Sequence, residues 1–190
     1  MSAKTPANRR TAWLIGALCL APVLASYFAY YVAPPAGHTN AGDLLETRAL
    51  PDPRLRLLDG TTFQLSQLHG KWVLLVTDAA QCDSACERKL FTIRQLRLTQ
   101  GKDMERIKRA WLISDSAPVA APLASNYKGM WFVRAADSDL LKQLPAASTP
   151  AEYFYIVDPL GNLVLRYPQN TEPAKMIKDL TRLLRTSRIG

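Results

Sequence analysis

The chain has 190 residues, of which 48% are hydrophobic and 21% charged, and its formal net charge is +8. This length fits one domain of ordinary size, and the charged fraction excludes a disordered or strongly acidic chain. Three cysteines are too few for a scaffold of this size held together by disulfide bonds. Where the positive charge lies decides whether nucleic acid is a sensible partner.

The first part of the chain has the pattern of a membrane anchor. Lys4, Arg9 and Arg10 precede residues 11–32, a run without a charged side chain. A helix of that length would measure about 33 Å, enough to cross the apolar core of a bilayer. A positive flank predicts a cytoplasmic N-terminus. We therefore predict a cytoplasmic basic flank at 1–10, a transmembrane helix at 11–32 and an exported C-terminal domain.

A cleaved signal peptide is the alternative interpretation of this segment. Residues 23–25 (VLA) could serve as a cleavage site, but the apolar run continues from Tyr27 to Val32, which favours an uncleaved anchor. Cys19 lies inside the run and is interpreted as an apolar residue in lipid. Because the flank does not resemble a mitochondrial transit peptide, we expect a bacterial inner-membrane protein whose domain is periplasmic.

The remaining basic residues are scattered along the chain, Arg54, Lys89 and Arg185 among them. They lack the zinc-ligand spacing and the aromatic interleaving of nucleic-acid binding domains. We interpret them as a solvated surface beside anionic lipid headgroups, with the membrane and not nucleic acid as the partner. Residues 33–53, rich in Pro, Gly and Ala, are predicted to be a linker, and residues 54–190 the domain.

Alternating strand and helix patterns predict an α/β domain. A continuous apolar run at 71–77 is typical of a strand buried on both faces of a sheet. Strands and helices follow it in alternation, and two hairpins flank the series. The predicted elements are a hairpin around 59–60, strands at 71–77, 109–114 and 130–133, helices at 84–100, 119–128 and 138–144, a hairpin of 153–157 with 163–167, and a last helix from about 173 to 185. This order is the plan of a thioredoxin-like fold, with a central mixed sheet flanked by helices.

Two cysteines follow the first buried strand. Cys82 and Cys86 stand at the start of a predicted helix, where free N–H groups and the helix dipole favour a thiolate. Residues four apart share a helical face, so the sulfurs can form a disulfide or bind Cu(I) together. A purely structural disulfide is the alternative, although so short a loop gains little stability from closure. Asp78, four residues earlier, could accept a proton or be a solvated loop residue.

At this point the sequence resembles a known family. The segment KWVLLVTDAAQCDSACERKL (71–90) is similar to the strand, C-x-x-x-C loop and helix of the Sco/SenC family, and YFYIVDPLG (153–161) resembles its late strand and turn. The resemblance implies a thioredoxin-like, membrane-anchored protein that assists assembly of the copper centre of cytochrome c oxidase. It also implies exchange of thiols or delivery of Cu(I) to an oxidase subunit or another copper or thiol assembly factor.

The sequence departs from the family at three positions. Family members carry a proline after each cysteine, where this chain has Asp83 and Glu87. The position of the family's copper-binding histidine is taken by Pro150, and neither His38 nor His69 matches it. A Cu(I) site made of two thiolates is compatible with these changes, whereas tight Cu(II) binding is not expected.

Pro150 suggests that this position takes part in thiol exchange and not in copper binding. Thioredoxin-like oxidoreductases place a cis-proline beside the active-site sulfurs, and an X–Pro bond is the one place where a cis peptide costs little. We predict a cis Thr149–Pro150 bond that packs against Cys82 and Cys86. In exchange chemistry Cys82 would attack and Cys86 would resolve. The alternative is a catalytically inert interaction module with a structural disulfide, so the sequence leaves open whether the chain is an enzyme.

Overall fold

A computed structural model of the chain describes residues 7–31, 41–187 and 189, which fall into two separate units. The described part of the N-terminal unit is one helix, and the C-terminal unit corresponds to the predicted domain. Lys4, His38 and the predicted linker positions 33–40 lie outside the described residues.

Helix α1 (Ala7–Tyr31) occupies the predicted anchor segment. Its residues Thr11–Tyr31 are long enough and apolar enough to cross a membrane. Large side chains such as Trp13 and Leu18 are exposed along it, as expected for a helix whose surroundings are lipid. Pro22 is accommodated within the helix.

The C-terminal unit is built on one eight-stranded sheet with the order β1-β8-β7-β4-β5-β6-β2-β3. The strands are β1 (Asp43–Ala49), β2 (Leu55–Leu57), β3 (Thr62–Phe63), β4 (Trp72–Asp78), β5 (Ile107–Ile113), β6 (Met130–Arg134), β7 (Tyr153–Val157) and β8 (Asn162–Pro168). The helices are α2 (Ser84–Leu98), α3 (Ala121–Asn126), α4 (Asp139–Lys142) and α5 (Pro173–Thr186), with 3-10 turns at Leu65–Leu68, Gly101–Arg106 and Pro150–Glu152.

Strand β4 lies at the centre of the sheet, parallel to β5 and antiparallel to β7. Its residues are buried on both faces, which explains the continuous apolar run in the sequence. One face packs against α2 and α5, through residues such as Leu90 and Leu180. The other packs against α4 and the turn at Leu65–Leu68. The predicted α/β class, a mixed sheet between helices, is confirmed.

Several boundaries differ from the sequence prediction, among them the start of the domain and the ends of α3. Asp43–Ala49, placed in the linker, forms edge strand β1, because it pairs with β8 and the N–H group of Ala41 donates to Asp179 at 2.7 Å. Helix α3 is shorter than predicted, because Ala120 is still extended and Tyr127, with φ −111° and ψ 47°, has left the helical conformation. The domain therefore begins about ten residues earlier in the sequence than predicted.

Candidate functional site

The two predicted site cysteines meet in the loop after the central strand. Cys82 and Cys86 form a disulfide bond, with their Cα atoms 5.2 Å apart. Cys82 is half-buried, whereas Cys86, inside the first turn of α2, is only 1% exposed. A reagent from solution therefore reaches the sulfur of Cys82 first. Cys19 is a free cysteine in α1 and takes no part in this pair.

Asp83, between the cysteines, caps helix α2. Its carboxylate accepts hydrogen bonds from the N–H groups of Ala85 and Cys86, each at 2.9 Å. The hydrogen bond from Cys86 is the main reason that the pKa of Asp83 lies below its ordinary value. The carboxylate is therefore ionised at neutral pH and lies next in sequence to Cys82.

This cap changes the expected chemistry of the helix start. The sequence suggested that the free N–H groups at this end would stabilise a thiolate. One of them, on Cys86, already donates to Asp83. A carboxylate beside a thiolate disfavours its ionisation, since two like charges repel. Asp83 thus opposes part of the activation that the helix dipole offers to Cys82.

Lys89 is buried under the cysteine loop. Its ammonium group lies 2.6 Å from the carboxylate of Asp78 and donates to the carbonyl oxygens of Thr77, at 2.9 Å, and of Ala151. The side chain is only 4% exposed. One lysine thus joins the end of β4, helix α2 and the turn that begins at Pro150.

The interpretation of Lys89 as a solvated surface residue is wrong. Lys89 follows Cys86 by three residues and precedes Leu90, so it lies on the face of α2 that carries Ile93 into the core. That spacing was visible in the sequence. Its hydrogen-bond acceptors were not, because Thr77 and Ala151 lie on other elements. Asp78, in turn, is an ion-pair partner and not a solvated loop residue.

The hypothesis of a cis-proline is wrong. The Thr149–Pro150 peptide bond is trans. The reason is local: Thr149 is extended, its hydroxyl accepts a hydrogen bond from the N–H group of Ala151, and Pro150 takes the first position of a 3-10 turn. A trans proline suits that position. The packing of Pro150 against Cys82 and Cys86 stays a prediction. The turn that begins at Pro150 is tied to α2 by a hydrogen bond from Lys89 to the carbonyl oxygen of Ala151.

Asp115 organises the loop beside the cysteines and was missed in the sequence. Its carboxylate accepts from the N–H groups of Ala80, at 3.2 Å, and Ala117, at 3.2 Å. In addition, the N–H group of Ser114 donates to the carbonyl oxygen of Asp78 at 2.9 Å. These bonds hold the loop after β5 against the loop that leads to Cys82.

The histidine in the described part of the domain lies elsewhere. His69 is exposed and precedes β4, whereas the cysteines follow it, so the two sites are at opposite ends of the central strand. Its ring lies so close to Gly161 that a Cβ atom there would be 2.8 Å from Nε2. Within residues 7–31 and 41–187, no group of three or more His, Cys, Asp or Glu side chains could hold a metal ion.

The comparison with protein families decides the classification. The family described as "Transmembrane-like, thioredoxin-like, C-terminal domain" matches residues 72–187, more than half of the chain. The chain belongs to this family. The match begins at β4 and contains the whole cysteine loop, so the disulfide lies inside the family domain. No curated protein is significantly similar to the sequence.

Solved structures with the same fold include Sco proteins. Yeast Sco1 with copper bound matches with a TM-score of 0.62 and 14% identity, over 75% of this chain and 96% of its own. BsSco, described as a member of the Sco family of cytochrome c oxidase assembly proteins with a disulfide switch, matches with a TM-score of 0.58 and 19% identity, over 76% and 98%. A putative protein disulfide isomerase from Bacteroides thetaiotaomicron has a TM-score of 0.59 and 20% identity, over 78% and 95%.

These similarities confirm that the domain of this chain has a thioredoxin-like fold. The Sco resemblance noted in the sequence is thereby confirmed at the level of structure, since Sco proteins adopt the fold seen here. A copper-binding protein and a disulfide isomerase match almost equally well. Fold alone therefore does not choose between copper and thiol chemistry, and the choice depends on the site.

Proposed function

We propose that this protein is a thioredoxin-like thiol–disulfide exchange protein, anchored in a bacterial inner membrane, that acts on the copper-binding cysteines of a cytochrome c oxidase subunit or assembly factor. The observation that carries the proposal is the Cys82–Cys86 disulfide, with one half-exposed and one buried sulfur, directly after the central strand. The description of BsSco as an oxidase assembly protein with a disulfide switch supports the same role for this chain.

The arrangement assigns the steps of exchange to the two sulfurs. In the reduced protein, the Cys82 thiolate attacks a partner disulfide, forms a mixed disulfide and releases one partner thiolate. The Cys86 thiolate then attacks the Cys82 sulfur, so that the second partner thiolate leaves and takes up a proton. Two electrons pass to the partner and the Cys82–Cys86 bond forms. The reverse steps oxidise a partner dithiol through the same atoms.

Cu(I) is the second candidate, as cargo passed to the partner. Two thiolates could hold Cu(I) together, because soft sulfur ligands select this ion. The copper-bound structure of yeast Sco1, which shares the fold, favours this option. Against tight Cu(II) binding stands Pro150 at the position where the sequence resemblance implies a histidine ligand.

The reduction potential separates an exchange protein from an inert module. Proteins that exchange thiols have potentials of about −270 to −120 mV, whereas structural disulfides lie below about −300 mV. We expect the Cys82–Cys86 couple in the first range, measured for the full chain in detergent micelles against a glutathione or dithiothreitol buffer. A value below about −300 mV would instead support the catalytically inert interaction module.

Titration of the reduced protein with Cu(I) tests the cargo role. A chromophoric Cu(I) chelator as competitor reports the metal bound by the wild-type chain and by Cys82→Ser and Cys86→Ser. Binding of one equivalent that both substitutions abolish would support delivery of Cu(I). Binding no greater than that of the two variants would leave thiol exchange as the function.

A further inference from the structure

A groove of about 450 Å³ runs beside the disulfide. One wall is the loop that carries Cys82, and the other is formed by the segment 118–126. The second wall is mainly apolar, because Pro118, Val119 and Leu123 line the groove there. Cys82 lines the groove, whereas Cys86 is 1% exposed. A partner sulfur that approaches Cys82 therefore brings its flanking residues to this surface.

The groove is held open by hydrogen bonds within the domain. The Asp115 carboxylate joins Ala80 of one wall to Ala117, which precedes the other. The side chain of Arg134 donates to the carbonyl oxygen of Ala117 and fixes the same loop from β6. A groove that is already formed binds without the entropic cost of ordering its walls.

A single charge marks the groove. Glu87 is the only charged residue among those that line it. Its side chain is exposed, and it forms no ion pair with any residue in the described part of the chain. Gln81 and Asn126 add uncharged polar groups to the lining. A groove with one apolar wall and one unpaired carboxylate complements a segment that is apolar on one side and carries one cation.

We infer that this groove binds an extended, cysteine-bearing segment of the partner protein that is apolar beside its cysteine and carries a lysine or arginine that reaches Glu87. The inference rests on the proposed exchange function and adds the recognition that selects the partner. Apolar side chains on either side of the reacting cysteine lie along Pro118, Val119 and Leu123. The sulfur of the partner cysteine then lies next to the sulfur of Cys82.

Peptide probes with a coloured leaving group test this binding. Each peptide carries one cysteine as a mixed disulfide with thiopyridine. The Cys82 thiolate of the reduced, full-length protein in micelles attacks the peptide sulfur, and thiopyridine leaves with the electron pair. Cys86 then attacks Cys82, and the peptide thiolate leaves and is protonated. The protein supplies both electrons and ends as the disulfide, so absorbance of the released thiopyridone gives the rate.

The probes differ only beside the cysteine. One has leucine and valine next to the cysteine and a lysine farther along, the second has serines in place of leucine and valine, and the third has glutamate in place of the lysine. Below saturation, we expect the first to react about tenfold faster than the second, because about two apolar side chains leave water. Free dithiodipyridine, which is uncharged and small, measures the reactivity of Cys82 without the groove.

A matched pair of variants places an acidic residue inside or outside the groove. Ala120 is exposed, lines the groove and precedes α3 at a position where aspartate is favoured, so Ala120→Asp preserves the fold. Ala121 is its exposed neighbour and does not line the groove. Ala120→Asp should reduce the rate for the apolar peptide to that of the serine peptide, whereas Ala121→Asp should leave it unchanged.

Glu87→Gln tests the charge. In the wild-type protein the lysine peptide should react about threefold faster than the glutamate peptide, and Glu87→Gln should remove most of that difference. Equal rates for these two peptides with the wild-type protein would overturn the cationic part of the inference. Equal rates for the leucine and serine peptides would overturn the apolar part.

The proposed function and the groove fail in different ways. If dithiodipyridine reacts no faster with the wild-type chain than with Cys82→Ser, the exchange function and the groove are both rejected. If it reacts through Cys82 while Ala120→Asp leaves every peptide rate unchanged, the exchange function stands and the groove is rejected. Sedimentation of the full chain covers a remaining occupant: a dimer that Ala120→Asp dissociates would show that a second copy fills the groove, which also overturns the inference.

Discussion

The Nζ atom of Lys89 lies 2.6 Å from the carboxylate of Asp78, under the loop that carries the disulfide. The same ammonium group donates to the carbonyl oxygens of Thr77 and Ala151. Because Lys89 is on α2, Thr77 on β4 and Ala151 in the turn after Pro150, one buried charge holds three segments in register. The position of the cysteine helix thus depends partly on Ala151, which is remote from both sulfurs in sequence.

We expect Lys89→Met to lower the free energy of unfolding by about 2 to 4 kcal/mol, because it leaves Asp78 unpaired and two carbonyl oxygens without their donor. Denaturant unfolding of the oxidised chain in micelles measures the change. Lys102→Met, which removes an exposed lysine, is the control and should change stability by no more than about 0.5 kcal/mol.

Hydrogen exchange gives a second, local measurement of Lys89. The N–H group of Glu152 donates to the carbonyl oxygen of Thr149 within the turn that Lys89 holds. Lys89→Met should speed exchange at Glu152 more than at residues of β8. Unchanged protection in that turn would contradict the role of Lys89 as the link between the turn and α2.

Burial of two tyrosines predicts a loss of stability at alkaline pH. Burial raises the pKa of Tyr167, helped by the neighbouring Asp179 carboxylate, and burial also raises the pKa of Tyr155. In the unfolded chain a tyrosine ionises near pH 10. The stabilising contribution is therefore complete below about pH 10 and is lost as the pH rises above it. Tyr167→Phe should flatten this decline, measured as unfolding midpoints between neutral pH and pH 11.

At neutral pH, Tyr167→Phe should lower the free energy of unfolding by about 1 kcal/mol, because it removes the hydroxyl that donates to Asp179 at 3.3 Å. Asp179 keeps its bond from the N–H group of Ala41. Tyr155→Phe, which affects a separate buried hydroxyl, should flatten the alkaline decline independently. If neither substitution alters the loss of stability above about pH 10, these two tyrosines are not its source.

The sequence was sufficient to predict those elements whose local pattern agrees with their place in the tertiary structure. The apolar run at 71–77 gave β4 because a central strand is buried on both faces, and the spacing of Cys82 and Cys86 indicated a pair that can join. Strand β1 was missed because its partner, β8, is more than a hundred residues away, as in the pair Asp43 and Arg166.

Two errors at the site have the same origin. Burial of Lys89 depends on acceptors supplied by β4 and by the turn after Thr149, which no local pattern reveals. The isomer of the Thr149–Pro150 bond is decided by about 1 kcal/mol, and the Thr149 cap and the 3-10 turn select trans. Contacts of polar side chains between segments distant in sequence are therefore the features that could not be predicted from this sequence.

The membrane anchor can be tested with one charge. Leu18 is exposed in the middle of α1, so Leu18→Arg should disfavour insertion by about 2.5 to 3.5 kcal/mol and shift the protein out of the carbonate-resistant membrane fraction. Leu160→Arg, at an exposed position of the domain, is the matched control. Mass spectrometry of the membrane-bound protein should find residues 11–32 intact. A mature chain that begins shortly after Ala25 would support the cleaved signal peptide instead.

We expect Asp83 to disfavour the thiolate of Cys82, because its ionised carboxylate is next in sequence and accepts the N–H group of Cys86. Asp83→Ser keeps a capping oxygen and removes the charge, so the pKa of Cys82 should fall and alkylation by iodoacetamide near pH 7 should become roughly three- to tenfold faster. Rates measured from pH 5 to 9 on the reduced chain give that pKa directly. Asp83→Asn, a second neutral cap, should reproduce the shift, whereas Asp59→Ser, which removes a carboxylate from the β2–β3 turn, should not. A Cys82 pKa that rises or stays constant in both neutral variants would mean that the cap, and not its charge, sets the reactivity of this sulfur.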